Sequence, residues 1–146
     1  MKSLPIRSWL LALVSFSASA SPSPDGVGGA TWKDYEPVER DIVGCIAGKL
    51  PEVTCEHVQQ RRDQLLWPAL KEAVRLNAAP LTAKFCAPHL TEIVAQDQRA
   101  QGVGIAVYLI ESQLHDGTGP YGADLPGIYL SQIIFDALVK TAPCRN

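Results

Sequence analysis

His57, His89 and His115 are the side chains best suited to acid–base or metal chemistry near neutral pH. No two of them share a helical turn, and the chain has no H-E-x-x-H pairing that would hold zinc. Cys86-Ala-Pro-His89 has a ligand-like spacing, but zinc takes three or four protein ligands and this is a lone pair. No metal or cofactor is therefore expected. His115-Asp116 opens a glycine-rich stretch and could serve a small hydrolase as general base and orienting acid. The preferred reading is a polar helix terminus, where imidazole favours the negative end of the dipole. Ser112 and Ser131 lie outside any G-x-S-x-G elbow. Gly102-Val-Gly104 lacks the third glycine and the preceding strand of a dinucleotide fingerprint. Glu111 with Asp116 or Asp124 could form a carboxylate pair, of a kind any acidic chain offers. These residues point to a binding protein rather than an enzyme, with no catalytic residue assigned.

The elements that must position these groups are all helical. Every long segment has helical apolar spacing and none alternates strictly. Glu36-Pro37 reads as a helix start, since proline suits the first helical position, and Val38, Ile42 and Ile46 form one stripe. Gly44 and Gly48, one turn apart on that helix, would admit a close neighbour. Thr54 reads as the N-cap of a second helix, whose Leu65, Leu66, Ala69, Leu70, Ala73 and Val74 are firmly amphipathic, with Pro68 bending it. Pro88 opens a third helix, which either stops near Arg99 or bends at Gly102. The expected helices cover 37–49, 54–77, 88–115 and 126–140. Residues 115–127 hold four glycines and two prolines and read as an irregular loop. The fold class is all-α, a single compact bundle of four to five helices.

Composition fixes the setting. The 146 residues are 47% hydrophobic and 19% charged, which suits one domain and excludes collagenous or strongly disordered classes. Thirteen basic residues face 15 acidic ones without a basic run, which argues against nucleic-acid binding. Lys2 and Arg7, the apolar run Trp9–Phe16 and Ala18-Ser19-Ala20 form the three-part pattern of a secretory signal over 1–20. The run is less than half of the roughly 20 residues a membrane span needs. Residues 21–31 are poor in large apolar groups and read as a flexible leader, with the helical domain at 32–146. Without the signal the chain has 11 basic and 15 acidic residues, a net charge of −4. Four cysteines in an exported chain read as two disulfides, for which three connectivities exist. Cys45–Cys55 would staple a helix hairpin and Cys86–Cys144 would tie the carboxyl-terminal tail to the centre, so this pairing is preferred. The expected location is the periplasm or the exterior, with no membrane partner after signal cleavage.

Cys45-Ile-Ala-Gly48, Phe85-Cys-Ala-Pro88 and the closing Ala137–Cys144 segment together resemble the small periplasmic immunity proteins of type VI secretion. That resemblance implies a helical inhibitor of a cell-wall amidase. The chain departs from the pattern at Cys55 and in a longer insertion before Phe85. Thr54-Cys55-Glu56 is similar to the opening of exported acid-stress chaperones, which supplies the alternative class; a small secreted hydrolase using His115 and Asp116 is a third. On the first reading the partner is a protein such as a secreted cell-wall hydrolase, and a homodimer stays open. Its contact surface is expected at Glu111, His115, Asp116, Tyr121 and Asp124, with Tyr121 as the exposed aromatic anchor.

Overall fold

A computed structural model describes residues 29–79, 84–115 and 117–145. The expected signal at 1–20, most of the leader, and Asp116 lie outside the described residues. Five α-helices and one 3-10 segment follow in order: α1 Trp32–Ile46, α2 Glu52–Asn77, α3 Pro88–Ala95, α4 Arg99–Gln113, the 3-10 segment Gly119–Gly127, and α5 Leu130–Thr141. The all-α class holds, as does the disulfide pairing, Cys45–Cys55 and Cys86–Cys144.

Helix α1 begins five residues before Pro37, with Pro37 inside it. The physical reason is a capping box. The Asp34 carboxylate accepts hydrogen bonds from the Thr31 N–H at 2.8 Å and the Thr31 hydroxyl at 3.0 Å. Trp32 and Tyr35 then bury edge-to-face, ring centroids 5.8 Å apart. Together these outweigh the backbone hydrogen bond that proline removes. At the end of the expected leader the Trp32 N–H donates to the Ile128 carbonyl and the Leu130 N–H to that of Ala30, each at 2.9 Å.

Gly48 lies past the end of α1 rather than on it. Its φ of 68°, the Gly48 N–H to the Cys45 carbonyl and the Lys49 N–H to the Gly44 carbonyl make a Schellman stop. Helix α2 starts at Glu52 with Pro51 as N-cap, so Thr54 sits inside the first turn instead of capping it. The helix runs unbroken through Pro68. Both Pro68 and Gln64, whose carbonyl loses its partner, are exposed, so water can serve that carbonyl.

The chain breaks between α3 and α4 at Asp97, a non-glycine residue at φ 52°, and α4 passes straight through Gly102 and Gly104. A Cβ on Gly102 would collide with the Trp67 ring, so this glycine is a packing device. The stretch read as irregular forms two 3-10 turns kinked at Gly122 (φ 56°, ψ −132°), which also moves the start of α5 to Leu130.

The core forms where α2 packs on α1, α4 and α5. Leu66, Leu70 and Ala73 from α2 meet Val103, Ala106 and Ile110 from α4 and Leu130, Ile133, Ile134 and Ala137 from α5, all buried. The tail is pinned to this core. Phe85 bridges Pro143, the Cys86 N–H donates to the Ala142 carbonyl at 2.8 Å, and Phe85 stacks edge-to-face on Phe135. Asn77 braces the same segment: its amide donates to the Phe85 carbonyl and its oxygen accepts from the Lys84 and Phe85 N–H groups. No described helix is long and apolar enough to cross a membrane. Two closed disulfides suit an oxidising, extracellular-type environment.

Candidate partner-binding site

Helix α4 is held on its inner face by Val103, Ala106, Leu109 and Ile110 and turns Tyr108 and Glu111 outward. Tyr108 is 65% exposed, an unusual placement for an aromatic on a helix otherwise packed into the core. Glu111 follows it by one turn and is also exposed. Half-buried Glu39 of α1 lies within electrostatic reach. Burial, then the Glu111 charge, then Glu36, push the Glu39 carboxyl above its ordinary value. Beneath them Tyr35 is driven up to about 12, chiefly by burial and then by Glu39, with Arg62 opposing and Glu111 adding to it. The acidic pairing at this surface is thus Glu39 with Glu111. No sequence signal linked them, because only the tertiary fold brings Glu39 within electrostatic reach of Glu111.

His115, one turn beyond Glu111, is exposed at the end of α4. Its Nδ1 lies 3.2 Å from the Ser112 backbone carbonyl. An open recess of ≈ 390 Å³ adjoins it, lined by Gln113, His115, Gly119, Pro120 and Lys140. Asp124 is exposed on the 3-10 segment.

Tyr121 is half-buried and engaged within the chain, unlike the free anchor expected. Its hydroxyl donates to Asp136 Oδ2 at 2.6 Å and accepts from Gln113 Nε2 at 3.4 Å. Gln132 Nε2 donates to the other Asp136 oxygen at 2.7 Å. Burial first, and the bond to Asp136 second, raise the phenol above its ordinary range. Tyr121 therefore fastens the 3-10 segment to α5. Gln113, a buried polar residue, and Asp136 complete this network, and neither stood out in the sequence.

Cys86 is oxidised and gives no thiolate to pair with His89. Among the described residues no three His, Cys, Asp or Glu side chains gather where they could hold a metal ion. No family model matches this chain, and neither does a curated protein or a solved structure.

Proposed function

We propose that this chain is an exported, periplasmic binding protein that inhibits a partner enzyme of the cell envelope, such as a cell-wall hydrolase. One observation carries the reading: Tyr108 stands exposed on a core-anchored helix, one turn from Glu111, whose charge helps to raise the Glu39 carboxyl. Tyrosine contributes large contact area at small entropic cost and is enriched among binding hot spots. A cationic side chain delivered by the partner would relieve the repulsion between Glu39 and Glu111, and so would bind more tightly there than on an isolated carboxylate. His115 and Asp124 extend the contact along the exposed end of α4 and the 3-10 segment, with Asp116 between them in the chain. Tyr121 supports the surface from below. Helical support keeps this surface pre-organised, which lowers the ordering cost of association.

The test is inhibition of purified envelope hydrolases by the mature protein, with Tyr108→Ala and Glu111→Ala as variants. The expected outcome is potent inhibition of one enzyme by the wild type, and a loss of about 30-fold in affinity, or about 2 kcal/mol, for Tyr108→Ala at unchanged helicity. Equal inhibition by both variants and the wild type would move the contact off α4.

A further inference from the structure

The two disulfides stand in opposite surroundings. Cys86 and Cys144 are both exposed, whereas Cys45 and Cys55 are half-buried. Charge divides them the same way. Lys84, Lys140 and Arg145, all exposed, lie within four positions of the Cys86–Cys144 pair, and no acid does. Within four positions of Cys45 or Cys55, Asp41, Glu52 and Glu56 outnumber Lys49. A thiolate both attacks and departs in disulfide exchange, so access and cations speed the reaction while carboxylates slow it. Loop length does not separate the two bridges in the folded protein, where both cysteine pairs are already held together. The two arms of the Cys86–Cys144 bridge are also anchored unequally. Phe85, beside Cys86, is buried, stacks on Phe135 and is bonded through its backbone to Asn77. The tail after α5 is tied by the Phe85–Pro143 bridge, the bond from the Cys86 N–H to the Ala142 carbonyl, and the disulfide itself. Its residues Pro143, Cys144 and Arg145 are exposed.

We infer that Cys86–Cys144 is a thiol–disulfide exchange site, opened by a dithiol, and that its opening frees the tail at 143–145 while the helical core stays folded. One thiolate of the dithiol, drawn by Arg145 and Lys140, attacks Cys144 Sγ. The bond between the two cysteine sulfurs breaks, and Cys86 departs as the thiolate. Cys86 is the better leaving group because it stands two residues before α3, whose N-cap makes no side-chain hydrogen bond and whose first turn holds no acid. The positive end of that helix favours a thiolate there. The second thiolate of the dithiol then attacks its own partner sulfur in the mixed disulfide and releases Cys144. Two electrons and two protons have passed from the dithiol, now a disulfide, to the two cysteines. Phe85 keeps its anchors on Phe135 and Asn77, so the arm that moves is the tail. The site is separate from the α4 surface and does not depend on what that surface binds.

The test equilibrates the oxidised protein with graded ratios of reduced to oxidised dithiothreitol, quenches with acid, and maps the alkylated cysteines by mass spectrometry. Cys86 and Cys144 should open at a ratio at least about tenfold lower than Cys45 and Cys55. A brief pulse of glutathione, which as a monothiol forms the mixed disulfide first, should mark Cys144 rather than Cys86. In the protein with this one bridge reduced, hydrogen exchange should quicken at Ala142, Cys144 and Arg145 while the buried helices keep their protection. Oxidised glutathione should then restore both the bond and the slow exchange. Reduced thioredoxin, run beside dithiothreitol at equal thiol concentration, tells a protein dithiol from a small one by which opens the bridge faster. Both bridges opening together, Cys45–Cys55 opening first, glutathione on Cys86, or protection lost throughout the core would each overturn it.

Discussion

At Gly102 the fold has no room for a side chain. The Trp67 ring occupies the space a side chain would need, and that ring is itself buried, with its indole N–H unpaired and the Lys71 ammonium 5.8 Å from its centroid. Gly102→Ala should cost about 2 kcal/mol by overpacking, read as a lowered melting temperature, although alanine is the better helix former. Glu39 behaves oppositely. Its folded carboxyl titrates above the ordinary value of 4.5, so its ionised form opposes folding at neutral pH. That opposition fades as pH falls through the raised value and is gone below the unfolded one. Glu39→Gln should therefore raise the melting temperature at pH 7, with the gain vanishing below about pH 4.5. The pH dependence of the difference checks the assignment. If the α4 surface binds a cation, the same substitution weakens the partner.

At the scale of elements, the 3-10 segment depends on one polar tie. Tyr121→Phe removes the hydroxyl that donates to Asp136 and should cost about 1.5 kcal/mol, the low end for a bond to a charged group because both residues are half-exposed. Hydrogen exchange across Gly119–Gly127 should quicken with it. Helices with long apolar periodicity were legible in the sequence: Leu66, Leu70 and Ala73 of α2 and Ile134 and Leu138 of α5 are all buried. Their burial follows from local spacing alone. Ile46 was misread because a spacing of four drifts about 40° per step from the 3.6-residue turn, so the stripe that begins buried at Val38 ends exposed at the hairpin tip. The start of α1 had a local signal in Thr31 and Asp34, but Pro37 was the louder one. Gly102 and the Glu39–Glu111 pairing were illegible for another reason. Each depends on a partner distant in the chain, and only tertiary packing supplies it. Of the candidate contact residues, Glu111, His115 and Asp124 lie at the surface, while Tyr121 is drawn inward by a partner the sequence does not announce.

For the whole molecule the two bridges divide the labour of stability unequally. Cys45 and Cys55 are 10 residues apart and Cys86 and Cys144 are 58 apart. Loop-closure entropy then assigns about 3 kcal/mol to the first and about 4 kcal/mol to the second. Replacing Cys86 and Cys144 by serine should lower the urea midpoint more than replacing Cys45 and Cys55, and should also loosen the Phe85–Pro143 bridge that holds the tail. The order of the bridges along the chain has a consequence for biogenesis. Each joins a cysteine to the next one in sequence, without crossing or nesting. A polypeptide threaded amino end first into an oxidising compartment, and oxidised in the order its thiols emerge, reaches the native bonds directly. Thiol exchange to undo a wrong pair is then unnecessary, and the expected outcome is native pairing with a disulfide oxidase alone, checked by peptide mapping of the chain made in cells that lack an isomerase.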